Sequence, residues 1–278
     1  MLGFVPIQPA LVTGPKIEVV RKISYRNNDH SLPLYRFHDS SALFFLSKMS
    51  CDVDGAPNAY NPSNDDLALD VIESAYGERR GDTPNGLLTV QPSQDVVVYA
   101  DGVPYIQPDG EFKGFYVSKT TLENPSLPET DPARYLDPRS TQYIVLPEDL
   151  VPESKPGDLA VVCDTRTNKV AFAVFGDVGP SSESGEAALA TLQRLGLPAV
   201  DGKSSPGEER NDFFYLVFPG TASELAEDPA WPHSQATIDR LGEKEFESWG
   251  GMTRLQAAES GVEQFKSTLS ATRELRWL

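Results

Sequence analysis

Histidine and cysteine are scarce in this chain, with 3 His and 2 Cys in 278 residues. The cysteines, Cys51 and Cys163, allow at most one internal disulfide, so no disulfide framework holds the fold, and whether they pair and in which redox compartment stays open. The histidines, His30, His38 and His233, are scattered, and no His or Cys pair has zinc-ligand spacing, which argues against a catalytic zinc. There is no G-x-S-x-G elbow, no G-x-x-x-x-G-K-[ST] phosphate loop and no G-x-G-x-x-G opening a helix. No apolar run reaches the ~18 residues that span a bilayer. Residues 1–22, MLGFVPIQPALVTGPKIEVVRK, show no basic n-region followed by an apolar h-region, so no signal peptide is expected there.

Basic residues are also few. Lys and Arg number 24 against 41 Asp and Glu, a net charge of −17. That balance argues against a nucleic-acid backbone or an anionic membrane as partner and permits a cationic one. What the chain does have is material for a core, with 39% hydrophobic residues, 13 Phe and 10 Tyr, enough for one large domain or two modest ones.

Short strands dominate the pattern. IEVVRKISY, LPLYRF and ALFFLS form a β-rich lead-in. The acidic stretch SNDDLALDVIESAYG reads as a short helix starting at Ser63 or Asn64. From residue 86 onward LLTV, DVVVYA, QYIVLP, DLAVVCD, KVAFAVFGD and FFYLVFPG are strand-like, with a hairpin-like DGVPYIQPDGEFKGFYVS among them, which suggests a compact barrel or sandwich. ENPSLPETDPARYLDPRS reads as an ordered surface loop. GEAALATLQRLGL reads as a helix beginning near Glu186, and residues 221–278 read as helices without strand patterning.

Chemistry in such a chain falls to its carboxylates. DVDGAPNAYNPSNDD offers Asp52, Asp54, Asn61, Asp65 and Asp66, oxygen ligands of the kind calcium takes, but the EF-hand spacing and its terminal Glu are absent, and a solvated turn is the plainer reading. In AFAVFGDVGPSSESGEAALATL, residues 171–192, Asp177 follows an alternating strand, with Gly176 and Gly179 permitting close approach of another backbone. Glu186 opens the expected helix. Each acid also has a plainer role, an Asx-turn for Asp177 and first-turn capping for Glu186. Chemistry that needs two carboxylates and nothing else is glycoside hydrolysis: one protonates the leaving oxygen, the other attacks the anomeric carbon or activates water.

Several segments together resemble the fungal-type chitosanases of glycoside hydrolase family 75. They are, in order, FFLSKMSCDVDGAPNAYNPSNDDLALD, ADGVPYIQPDGEFKGFYVSKTTLENP, DPARYLDPRSTQYIVLP, GDLAVV, the stretch 171–197 and FFYLVFPG, running collinearly over residues 44–219. The resemblance implies a β-rich α+β fold: a small six-stranded, double-psi-like β-barrel core with peripheral helices and a helical C-terminal extension. It implies endo-acting, inverting hydrolysis of β-1,4-linked glucosamine polymers without a cofactor or metal, the catalytic Asp and Glu falling on Asp177 and Glu186. Glu186 takes the acid role for its intrinsic pKa and reach, although a helix start would pull its pKa down. Lys48, Asp52, Asp54 and Tyr60 are the substrate-binding candidates, Lys48 and Tyr60 lying behind the two aspartates, and Tyr116 is a candidate core residue. The partner is then a cationic polysaccharide, chitosan or a chito-oligosaccharide, and an extracellular site of action is implied. The expected division is 1–43 lead-in, 44–220 catalytic domain and 221–278 helical extension. A peptidoglycan glycan-strand hydrolase on the same scaffold and a catalytically silent carbohydrate-binding or adaptor protein are the alternatives, and the oligomeric state is left open.

Overall fold

The computed structural model describes residues 16–25, 30–64, 67–80, 89–180, 184–198, 208–225 and 230–274. The chain opens with strands β1 (Ile17–Tyr25), β2 (His30–Phe37) and β3 (Leu43–Asp52). An insertion follows, containing α1 (Val71–Ser74), the paired strands β4 (Glu78–Arg80) and β5 (Thr89–Gln91), and the paired strands β6 (Tyr99–Ala100) and β7 (Val103–Pro104). Next come β8 (Tyr143–Pro147), β9 (Leu159–Asp164), β10 (Lys169–Gly179), β11 (Glu186–Ala188), α2 (Leu189–Leu195) and β12 (Glu208–Phe218). Helices α3 (Ala222–Leu225), α4 (Gln235–Trp249) and α5 (Gly251–Glu274) end the described chain.

Six strands close on themselves in the order β3-β11-β8-β10-β9-β12, with β12 pairing back to β3 from Phe213↔Ser47 to Val217↔Leu43. Closure removes the exposed edges that an open sheet must protect. The barrel is mixed: β11 runs parallel to β3 and β10 parallel to β8, and the other neighbours are antiparallel. β2 extends it through Tyr35↔Phe44 and Arg36↔Leu43, and β1 extends β2.

The period-2 alternation sorts side chains into two cores. Phe45, Met49, Cys51, Ile144, Leu146, Ala160, Val162, Phe175, Ala187, Phe213 and Tyr215 fill the inside. Their neighbours Phe44, Val145, Val161, Val174, Phe214 and Leu216 face outward. Outward Phe44 stacks on Phe214 at 5.1 Å, and Trp249 of α4 closes over both Phe37 and Phe214. Helix α4 starts at the cap Ser234, whose side chain accepts from the Thr237 amide, and buries Ile238, Leu241, Phe246 and Trp249 along one stripe. Each such side chain contributes about 1.5–3 kcal/mol on burial, which fixes the helical part onto the barrel.

Both cysteines are buried and free, Cys51 inside the barrel and Cys163 outside it. Two sequence readings are corrected. Glu186 does not open a helix: Glu186–Ala188 is a strand held between β3 and β8, and the helix begins at Leu189. Pairing on both sides inside a closed barrel outweighs the helical propensity of EAAL. The helix expected from Ser63 or Asn64 is instead a single turn, Val71–Ser74, capped by Asp70, while Asn64 Oδ1 accepts from the Val71 amide.

Candidate active site

Val145, on β8, pairs with Asp177 of β10 on one side and with Glu186 of β11 on the other. Residues opposite one another on neighbouring strands project to the same face, so the two carboxylates flank Val145 on the outer surface of the barrel. Glu186 pairs in turn with Ser50 of β3, two residues before Asp52. The helix-start argument for Glu186 therefore falls away.

The register slips between Phe175 and Asp177, so Gly176 is the extra residue of a bulge that re-aims Asp177. A methyl group on Gly176 would lie 2.6 Å from Tyr143 Cβ and 2.7 Å from its Cγ. Glycine is thus what lets the Tyr143 side chain cross beneath the site. Gly179 is tight in another way: a methyl there would sit 3.1 Å from Val145 Cγ1 and 3.4 Å from Glu186 Oε2. The Glu186 side chain therefore leans across β8 toward β10.

Asp177 is buried, and its Oδ1 accepts from the Thr121 hydroxyl at 2.6 Å, the Thr121 amide at 2.8 Å and the Val178 amide at 2.8 Å. Among the described residues none donates to its Oδ2. Burial raises its pKa, and the Thr121 hydroxyl, the two amides and the nearby Lys119 charge oppose that rise without cancelling it.

Asp52 and Asp54 come from the turn that leaves β3. Asp52 Oδ1 accepts from the Asp54 amide at 2.8 Å, and its Oδ2 lies 3.0 Å from the Tyr143 hydroxyl, which also lies 2.7 Å from the Asp54 carbonyl. A hydroxyl has one proton for two partners and a carbonyl cannot donate, so a protonated Asp52 satisfies both bonds at once. Burial first, then the Asp177 charge, push Asp52 up to about 7. Burial and the charge of Asp52 likewise hold Asp54 well above the usual carboxylate range. Tyr60 anchors it, with its hydroxyl 2.7 Å from Asp54 Oδ1 and 3.0 Å from the Ser74 carbonyl.

These groups line one cleft of about 900 Å³ between the barrel wall and the insertion. Its lining carries Asp52, Asp54, Glu73, Asp95, Glu123, Glu148, Asp177 and Glu186 against one cation, Lys119. Glu123 is spoken for by its ion pair with Arg134. Among the described residues no group of three or more His, Cys, Asp or Glu is arranged to hold a metal, and Asp65 and Asp66 lie outside them. No described helix is long and apolar enough to cross a membrane.

The model of the fungal chitosanases of glycosyl hydrolase group 75 matches residues 101–248. The chain belongs to this family. It is a glycoside hydrolase acting on chitosan. A comparison with curated proteins finds no match. The matched span holds Lys119, Thr121, Val145, Asp177 and Glu186, whereas Asp52, Asp54 and Tyr60 reach the cleft from outside it.

Of the residues singled out from sequence, Asp52, Asp54, Tyr60, Asp177 and Glu186 meet in the cleft. Lys48 does not line it; it stands on β3 four residues before Asp52, roughly 13 Å along the strand. Tyr116 is buried in the core. Sequence reasoning missed Tyr143, Thr121 and Val145. Tyr143 and Val145 sit inside QYIVLP and Thr121 inside YVSKTTL, but nothing local says that these segments flank GDVGP.

Proposed function

We propose that Asp177 and Glu186 are the catalytic pair of an endo-acting chitosanase that splits β-1,4 glucosamine linkages with inversion. The observation that carries this reading is their shared register with Val145, which puts both carboxyls on one wall of an acidic cleft. Two strand spacings separate their Cα atoms by about 10 Å, and Glu186 leans back toward Gly179. A pair set on either side of one strand suits inversion, in which the two carboxyls stand ~6.5–9.5 Å apart with a water between them.

In this mechanism Glu186 gives its proton to the bridging oxygen as the C1–O4 bond breaks. Water attacks C1 from the opposite face and yields its proton to Asp177. The base role suits Asp177 because three donors converge on Oδ1, which favours the ionised form and holds Oδ2 toward the cleft. Asp52, Asp54 and Tyr60 form the adjoining wall, where the ammonium and hydroxyl groups of the substrate meet carboxyl and phenol oxygens that accept hydrogen bonds. Residues 44–220 carry the catalytic unit in this reading, with residues 1–43 and 221–278 added to it.

The test is reducing-end release from soluble chitosan by Asp177→Asn and Glu186→Gln. Each should lose about 10²–10⁴ in kcat with unchanged circular dichroism. Near-full activity in either variant would overturn the assignment.

A further inference from the structure

Tyr76 occupies a position where helices ordinarily place glycine. Helix α1 ends at Ser74, and Tyr76 follows with φ +47°, the left-handed conformation that L side chains rarely adopt. The Gly77 amide then bonds back to the Val71 carbonyl at 2.9 Å, closing the helix end. Such a cap is normally built on glycine, and a bulky residue there is strained. Strain of this kind persists where a side chain is needed.

The side chain in question is a large aromatic, 52% exposed, on the lining of the chitosan cleft. Two acids line the same cleft. Glu73 projects from α1 three residues earlier, and Asp95 is brought in by Ser93, whose amide bonds the Ala75 carbonyl at 2.8 Å and whose hydroxyl lies 3.3 Å from Asp95 Oδ2. Tyr60 joins this corner to the catalytic wall, since its hydroxyl reaches both Asp54 and the Ser74 carbonyl. A pyranose ring has an apolar face that packs on an aromatic ring, and a glucosamine unit adds an ammonium group that pairs with carboxylates.

We propose that Tyr76, with Glu73 and Asp95, forms an outlying subsite that holds one glucosamine unit of the polymer away from the cleaved bond. The inference rests on the chitosan-cleaving reading for its ligand. Tyr76 contributes the stacking platform, and the two acids select a free amine over an acetylated one. The subsite is filled only by chains long enough to reach it from the cleavage point.

Titration calorimetry of the turnover-blocked Glu186→Gln protein with glucosamine dimer and hexamer tests this. Tyr76→Gly should weaken hexamer binding about tenfold, leave dimer binding unchanged, and raise Tm because the strained backbone relaxes. A loss of affinity in a more stable protein cannot come from misfolding. Tyr76→Phe should bind like the parent, and Glu73→Gln with Asp95→Asn should weaken the glucosamine hexamer but not the N-acetylglucosamine hexamer. Unchanged hexamer affinity in Tyr76→Gly, or an equal loss for dimer and hexamer, overturns the subsite and leaves the chitosanase reading standing. Failure of the Glu186→Gln protein to bind any glucosamine hexamer overturns both.

Discussion

Asp177 and Glu186 pair with the same residue, Val145, from opposite sides of β8. Nine positions apart in sequence, they are set about two strand spacings apart by the barrel itself rather than by the loop that joins them. Rigid strands place reacting groups more reproducibly than loops do, so small changes in the wall should be read out in rate.

Gly179→Ala is the mildest such change. The added methyl presses on Val145 Cγ1 at 3.1 Å and on Glu186 Oε2 at 3.4 Å, so the Glu186 carboxylate must give way by a fraction of an ångström. We expect kcat on chitosan to fall about tenfold or more with little change in Tm. Steady-state kinetics beside a thermal melt checks this, and an unchanged kcat contradicts it.

Asp52 links the site to stability. Its folded-state pKa is about 7 against an ordinary 3.8, raised by burial and by Asp177. A raised carboxyl pKa means stability that is fully present below the unfolded value and lost as pH rises through the folded one. Tm should therefore decline between about pH 4 and pH 7. Asp52→Asn keeps an acceptor for the Asp54 amide and a donor for Tyr143 without the charge, so its decline should be shallower. Asp54 and Asp177 are shifted in the same direction and preserve part of the slope. Melts across that range decide, and identical slopes would contradict the burial argument.

The lining of the cleft holds eight acidic side chains against Lys119, and even with Glu123 paired to Arg134 and Asp52 and Asp54 held toward the neutral form, the remaining acids should attract a polycation over distance. Salt screens that attraction within about 8 Å at physiological strength. KM for soluble chitosan should rise several-fold between low and moderate salt, with kcat nearly constant. A salt-independent KM would mean that the cleft charge does not serve substrate capture.

Much of this was legible in the chain. The short apolar runs of QYIVLP and DLAVVCD, buried on both faces, and the alternation in KVAFAVFG mark strands, and the apolar stripe of α4 marks its packed side. The carboxylates of GDVGP and SGEAAL were visible as candidates. Which strands are neighbours was not visible, since pairing is set by long-range closure. For that reason Glu186 reads locally as a helix start, when β3 and β8 hold it as a strand. Gly176 reads in the sequence as a point of close approach, but that the approaching group is the Tyr143 side chain was hidden for the same reason, because their contact exists only once β8 and β10 lie side by side.

An inverting pair, as we propose Asp177 and Glu186 to be, releases its first product from a β-linked chain as the α-anomer. Proton NMR of a chito-oligosaccharide digest, recorded before mutarotation, reads the anomer directly. The α-anomer appearing first is the predicted result. The β-anomer appearing first would contradict it, since retention requires a glycosyl–enzyme intermediate in place of direct attack by water on C1.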